Sequence, residues 1–253
     1  MPAINIDGIQ QNVPEGTTIL AAAKACGIWI PTLCHHEALT PYGGCRLCVV
    51  EATQNEATRI TASCCTEASD QMIIKTDSQQ LRRIRTFLVE LLLAEAPEAP
   101  AVQKLARDLG AASPEWLEPR NELCIACGRC IRACSEIVGV SAIGFARRGY
   151  DRTAAAPFFR RSQECIGCGT CVEICPTGAV TLQDIPEGAT GVVPDGEKIA
   201  GPARIMDNWK TGLQLKTCKT CGEPFAPQVQ LGHITRAAGL PENFFDTCVS
   251  CRE

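Results

Sequence analysis

Two cysteine runs of identical spacing constrain this chain more than any other feature: Cys124-x2-Cys127-x2-Cys130-x3-Cys134 and Cys165-x2-Cys168-x2-Cys171-x3-Cys175. Self-similarity at this level marks residues 119–184 as a duplicated module. The 253 residues include 18 cysteines but only 5% aromatics, so metals or disulfides are expected to supply folding free energy that a large apolar core would otherwise provide. The opening Met1-Pro2-Ala3-Ile4-Asn5-Ile6-Asp7 has neither the basic nor the apolar region of a secretion signal. The apolar stretch from Phe87 to Ala94 is interrupted by Glu90 and too short to span a bilayer. The expectation is a soluble, cytoplasmic protein without membrane insertion, and in a reducing compartment evenly spaced cysteines read as metal ligands. A net charge of −4, from 24 Lys plus Arg against 28 Asp plus Glu, argues against nucleic acid as a partner.

The paired runs, with Pro176 after the second, resemble the signature of a two-cluster bacterial ferredoxin. In that arrangement three cysteines on a tight loop hold three corners of an iron–sulfur cube, and the fourth crosses to the other cube. One [4Fe-4S] cluster is thereby expected on Cys124, Cys127, Cys130 and Cys175, and the other on Cys165, Cys168, Cys171 and Cys134. Gly128, Gly167 and Gly169 allow the loop backbone to approach the sulfurs, while Ile125, Ile131, Ile166, Val172 and Ile174 shield them from water. Zinc on the same thiolates is the alternative, which the triple spacing disfavours.

Upstream, Ile4 and Ile6 alternate before a turn at Asp7-Gly8 and a second short strand through Ile9 and Val13. After Pro14-Glu15-Gly16, Thr17 or Thr18 caps a helix that Gly27 ends, the ββα opening of a β-grasp domain over residues 1–78. Further strands are expected at Leu47–Ala52 and Met72–Lys75. This domain carries Cys34-x10-Cys45-x2-Cys48, with Gly43-Gly44 before the second cysteine and a fourth at Cys64 or Cys65. Four thiolates with inward-turned glycine amides fit a [2Fe-2S] cluster, with disulfides as the alternative. Cys26, on the helix, reads as a buried small hydrophobe.

From Ser78 to Ala94, Leu81, Ile84, Leu88, Leu91 and Leu92 recur at helical spacing. Pro97 and Pro100 break that helix, and a shorter one follows from Val102 to Leu109, so residues 79–118 read as a helical connector. Residues 185–215, rich in Gly and Pro, read as a linker. The last unit, 216–253, carries Cys218-x2-Cys221-x26-Cys248-x2-Cys251 around a helix from Val229 to Ala238. It resembles a zinc ribbon, with zinc expected and a further [4Fe-4S] cluster or a rubredoxin-like iron as alternatives. The fold class is therefore α+β.

Ile30-Pro31-Thr32-Leu33-Cys34-His35-His36, Gly44-Cys45-Arg46-Leu47-Cys48 and Ala62-Ser63-Cys64-Cys65-Thr66 with Met72-Ile73-Ile74 resemble the N-terminal domain of the NADH dehydrogenase large iron–sulfur subunit. Iron-only hydrogenases and the small diaphorase subunit of NAD-linked hydrogenases share that domain. Asn121-Glu122-Leu123-Cys124 through Cys134-Ser135-Glu136, Gly139-Val140 and Ile143-Gly144-Phe145 are similar to the ferredoxin-like segment of the same family. The resemblance implies Cys64, followed by Thr66 and Met72, as the fourth [2Fe-2S] ligand. The family's His-x3-Cys-x2-Cys-x5-Cys cluster is missing, since residues 82–123 hold neither His nor Cys. The implied function is an electron-transfer iron–sulfur subunit of an NAD(H)-linked complex. Its partners would be a flavoprotein that handles NADH and a second catalytic redox subunit, such as a hydrogenase, formate dehydrogenase or other reductase. With no G-x-G-x-x-G and no P-loop in the chain, nucleotide chemistry is expected on another subunit. A stand-alone reductase or hydrogenase-like enzyme and a zinc-bearing regulatory protein are the alternatives.

Overall fold

A computed structural model describes residues 1–120 and 122–252; Asn121, which opens the ferredoxin-like motif, and Glu253 lie outside the described residues. The chain divides into two compact units, Met1–Cys127 and Gly128–Glu253.

The first unit begins with β1 (Ala3–Ile6) and β2 (Ile9–Asn12), antiparallel about a turn in which Asp7 and Gly8 both take positive φ, 50° and 91°. That mirror-image turn matches the natural twist of a hairpin. Helix α1 (Ile19–Ala25) starts where the Thr18 hydroxyl accepts from the Ala21 amide, and ends at Cys26 and the left-handed Gly27. Cys26 is half-buried at the helix end and not a core residue. Strands β3 (Val49–Gln54), β4 (Ala57–Ala62) and β5 (Ile73–Lys75) complete a sheet in the order β2-β1-β5-β3-β4, with β1 and β5 parallel. Ile4, Ile6, Val50, Ala52 and Ile74 point to one face and pack with Ile19, Ala22 and Ala23 of α1, as expected of a mixed sheet grasping a helix.

Strand β4 carries no clear sequence signal. Its residues are mostly exposed on the sheet edge, and the turn before it is Asn55-Glu56, two non-glycine residues at φ 49° and 64°. A helix-to-helix pair follows: α2 (Gln79–Glu95), capped by the Ser78 hydroxyl on the Leu81 amide, and α3 (Pro100–Leu109), with proline in its first turn and the left-handed Gly110 at its end. The two helices are not a loose spacer. Val89, Leu93, Val102 and Leu105 form one core with Leu33 and Leu47, the neighbours of Cys34 and Cys48. Arg85 lies on the buried stripe with Leu81, Val89 and Leu93; its guanidinium donates to the Leu47 carbonyl at 3.2 Å and to the Val49 carbonyl at 2.7 Å.

In the second unit, α4 (Arg129–Arg132) runs into a π-helical turn, Ala133–Ile137, then the hairpin β6 (Gly144–Ala146) and β7 (Thr153–Ala155), and α5 (Thr170–Glu173). Strands β8 (Leu182–Ile185), β9 (Thr190–Val192), β10 (Lys198–Ala200), β11 (Ala203–Met206), β12 (Thr211–Thr217) and β13 (Pro224–Pro227) follow, and α6 (Gln228–Ala238) closes the regular structure. β13-β12-β11-β8 form an antiparallel sheet, with β9 and β10 a separate pair. Residues 185–215, expected as a linker, therefore hold strands. These strands are short, and β8 finds its partner well along the chain, Asp184 pairing with Arg204 20 residues on, so little local periodicity is left to read from sequence. Among the described residues no helix is long and apolar enough to cross a membrane.

Arg85→Ala is expected to lower the stability of the full chain by roughly 2–4 kcal/mol, because two buried carbonyls lose their donor and the stem leaves a void. Denaturant unfolding under anaerobic conditions measures it; a loss below about 0.5 kcal/mol, the range of ordinary surface changes, would show that α2 does not anchor the Cys45–Cys48 loop.

Candidate metal centres

Loops at one end of the β-grasp sheet bring four cysteines together. Cys34 follows α1, Cys45 and Cys48 lead into β3, and Cys64 follows β4; Cys34, Cys48 and Cys64 are buried and Cys45 half-buried. They meet as two pairs. The Cys45 amide donates to Cys34 Sγ at 3.4 Å, and the hydrogen bond between the two thiols pushes Cys45 down to about 5 while raising Cys34. The Cys48–Cys64 contact likewise lowers Cys48 to about 6 and raises Cys64. Within each pair the contact favours the thiolate of one sulfur and the thiol of the other, a tension that a metal removes by taking both as thiolates. Cys65 is exposed, although its Sγ lies 3.5 Å from that of Cys64.

The surroundings leave room only for backbone. A Cβ on Gly43 would come within 2.9 Å of Cys65 Sγ, and one on Gly44 within 2.4 Å of the Tyr42 ring. Ser63 is fully buried between these cysteines; its main chain is fastened on both sides, to the Cys48 carbonyl and the Leu20 amide, and its hydroxyl helps to hold the Cys48 thiol down. A buried hydroxyl donating to one of two thiol pairs fits a site built to hold its sulfurs as thiolates.

The second unit contains a cavity lined by Cys134, Cys165, Cys168 and Cys171, the set that crossed ligation would join. Val140, Ile143, Met206 and Trp209 make its wall apolar. Cys134 sits on the π-helical turn, a distortion frequent at functional sites. The Ala142 amide donates to Cys134 Sγ at 3.2 Å, the Thr170 hydroxyl lies 3.4 Å from Cys168 Sγ, and the Trp209 indole donates to Cys171 Sγ at 3.4 Å. Gly167 at φ 67° and Gly169 at φ 76° shape the loop, and a Cβ on Gly167 would fall 2.6 Å from a Leu213 methyl. Burial pushes the Cys165 and Cys171 thiols up to about 11 and Cys134 upward as well. Buried sulfurs held in this way suit thiolates neutralised by metal.

The remaining four of the paired runs are divided between the units. Cys124 and Cys127 close the first, where the Ala126 amide donates to Cys124 Sγ at 3.4 Å. Cys130 and Cys175 lie in the second and pack in the core with Ile143 and Val180. Burial opposes ionisation of Cys175, but hydrogen bonds from the Thr177 hydroxyl and from the amides of Thr177, Val180 and Ala179 outweigh it and lower the thiol.

At the C-terminus Cys218, Cys221, Cys248 and Cys251 converge, all four sulfurs within 4.8 Å of one another. Cys221 and Cys248 are 3.9 Å apart. The Thr220 and Cys248 amides donate to Cys218 Sγ at 3.4 and 3.3 Å, and backbone donors hold this thiol down to about 6. Cys251 is pushed up to about 12 by its contacts with Cys248 and Cys221.

Three residues near these centres escape a motif-based reading. Arg85 is detectable as one step of the i, i+4 series from Leu81, whereas Ser63 and Trp209 carry no local signal. Of the histidines, His36 Nδ1 accepts from the Ala38 amide at 3.2 Å, and His233 is half-buried on α6.

Residues 3–79 match the model of a 2Fe-2S iron–sulfur cluster binding domain, and residues 120–182 that of a 4Fe-4S dicluster domain. A subunit of the NADH-quinone oxidoreductase of Rhizobium meliloti is 32% identical over 206 residues, covering 71% of this chain and 24% of that protein. The alpha subunit of the NADPH-Fe(3+) oxidoreductase of Geobacter sulfurreducens is 34% identical over 173 residues, covering 59% of this chain and 20% of that protein. The chain thus spans about a quarter of the length of the curated relatives it matches. A chain of the NAD+-reducing [NiFe]-hydrogenase, solved in the H2-reduced state, superposes with a TM-score of 0.59 at 32% identity, covering 70% of this chain and 86% of that one. With both cluster domains matched and 32% identity across 86% of the hydrogenase chain, the chain belongs to the family of iron–sulfur subunits found in NADH-quinone oxidoreductase and in NAD+-reducing [NiFe]-hydrogenase.

Proposed function

We propose that this chain relays single electrons inside a multi-subunit NAD(H)-linked oxidoreductase, between a flavoprotein that handles the nicotinamide and a second redox subunit such as a hydrogenase, formate dehydrogenase or other reductase. The observation that carries this reading is the apolar cavity in which Cys134 meets Cys165, Cys168 and Cys171, a donor set and a wall suited to a cluster and not to a polar substrate. Its relatives' membership in NADH- and NAD+-linked enzymes supports the same reading.

Cys34, Cys45, Cys48 and Cys64 would hold a [2Fe-2S] cluster. Cys165, Cys168 and Cys171 with Cys134 would hold one [4Fe-4S] cluster, and Cys124, Cys127 and Cys130 with Cys175 the other. Bound there, these groups supply one-electron redox chemistry. The protein's own part is to desolvate the sulfurs, to aim amide and hydroxyl donors at them, and to keep water out. NADH releases two electrons as a hydride, so a flavin on a partner subunit has to divide them.

The C-terminal four cysteines are read as a structural zinc site. A tetrahedron of Zn–S bonds of about 2.3 Å sets its sulfurs about 3.8 Å apart, close to the 3.9 Å between Cys221 and Cys248. A cube holds its ligands on separate iron corners and requires a wider frame. The unit is then a zinc-ribbon-like module that β12 joins to the preceding sheet.

Anaerobically prepared protein should contain about ten irons and about one zinc per chain. Metal analysis separates the alternatives, since about fourteen irons without zinc would indicate a third cube and about eleven a rubredoxin-like iron. In the reduced protein, Cys64→Ser should abolish or strongly alter the [2Fe-2S] electron paramagnetic resonance signal and Cys65→Ser should leave it nearly unchanged; the opposite pattern would make Cys65 the ligand. Dithionite should reduce every cluster of the pure chain, whereas NADH should do so only after a flavoprotein partner is added. Stopped-flow absorbance follows this, and rapid reduction of the flavin-free chain by NADH would replace the relay with a stand-alone enzyme.

A further inference from the structure

Trp209 lies beyond the matched 4Fe-4S dicluster domain, which ends at residue 182, yet it forms part of the wall around Cys134, Cys165, Cys168 and Cys171. It is 2% exposed, and its indole N–H, a donor only, is satisfied by Cys171 Sγ at 3.4 Å. The turn that carries it, Asp207–Trp209, is held from several directions. Asn208 accepts from the Thr181 amide at 2.8 Å and donates to the Ala179 carbonyl at 2.9 Å, while Asp207 accepts from the Thr181 hydroxyl and the Gln183 amide group at 2.8 and 2.9 Å. The Trp209 carbonyl in turn accepts from the Thr211 hydroxyl at 2.8 Å. On the neighbouring strand Arg204 donates to the Gly167 carbonyl at 3.1 Å and pairs with Asp184, fastening the Cys165–Cys168 loop to the same sheet. So many anchors on one short turn fix where the indole N–H points, independently of the sulfur it meets.

We propose that Trp209 is a positioning residue for the cluster on Cys165, Cys168, Cys171 and Cys134, raising its reduction potential by donating to the Cys171 sulfur and closing its pocket to water. The proposal rests on the reading of these four cysteines as one cluster site. A hydrogen bond to a ligand sulfur withdraws charge and favours the reduced, more negative state, and such bonds together with solvent exposure set cluster potentials. The C-terminal sheet is then an outer wall of the ferredoxin-like module and not an appendage to it.

Redox titration of the anaerobic full chain, followed by electron paramagnetic resonance, tests this with three variants. Trp209→Phe keeps the ring and removes the donor; one [4Fe-4S] potential should fall while the other [4Fe-4S] and the [2Fe-2S] potentials stay in place. Ile205→Val trims the buried core on the other face of the same strand as Met206, outside the cavity and away from any donor, and should leave all potentials unchanged. An unchanged potential in Trp209→Phe, or equal shifts in both variants, would overturn the proposal. Cys171→Ser checks the reading beneath it: if both [4Fe-4S] signals survive that change intact, the cluster assignment itself fails. Should Trp209→Phe lose its cluster, the wild-type chain with 15N-labelled indole decides. A pulsed-resonance coupling between an indole nitrogen and a reduced [4Fe-4S] cluster is expected, and its absence would overturn the proposal.

Discussion

The central constraint on this fold is the burial of sulfur. A cysteine far from water prefers to keep its proton, as Cys165 and Cys171 show, whereas a metal requires it as thiolate. Everything around the cysteine sets eases that conflict. Loop amides and hydroxyls point at the sulfurs, sulfurs are brought into pairs in which one is favoured as thiolate, and glycines admit the backbone where a side chain would collide. The conflict is resolved only when metal replaces the protons, so folding and metal binding are thermodynamically coupled.

This also explains how a chain with so few aromatics builds stable units. The apolar cores are modest and include or adjoin the cysteine loops: one beneath the β-grasp sheet, one where α2 and α3 pack on Leu33 and Leu47, and one that includes Cys130, Cys165 and Trp209. Cysteine loop and core share residues. A change in either is therefore felt by the other, and Arg85 is the clearest link, a buried cation that donates to carbonyls of the Cys45–Cys48 loop and of β3.

The C-terminal cysteines obey a different geometry. Their sulfurs close to within 4.8 Å, which suits a single ion that they enclose, while the other four, Cys134, Cys165, Cys168 and Cys171, line an apolar cavity in the second unit. An enclosed ion without an open coordination position stabilises structure, and a cluster near a protein surface exchanges electrons; on the proposed assignment one chain combines both uses of the same side chain.

Ligand spacing is a local property, and for that reason the cysteine runs alone determined the iron–sulfur chemistry, the duplicated module and the order of the domains. The Asp7-Gly8 hairpin and the helix start at Thr17 or Thr18 were equally legible, since each depends on residues within a few positions of one another, whereas of the stripe expected on α2 only Leu81 is fully buried and the buried line runs on through Arg85, Val89 and Leu93. Tertiary structure decided the rest. Cys64 and Cys65 are chemically identical neighbours that spacing does not separate; the family resemblance points to Cys64, and the course of the chain after β4 adds that this one is buried and its neighbour exposed. Residues 185–215 have the composition of a linker, and became strands because β8, β11 and β12 find partners in one another, a pairing no local pattern encodes. Trp209 met a cysteine 38 positions before it in the chain through that same pairing, so its contact with sulfur belongs to the fold and not to any motif.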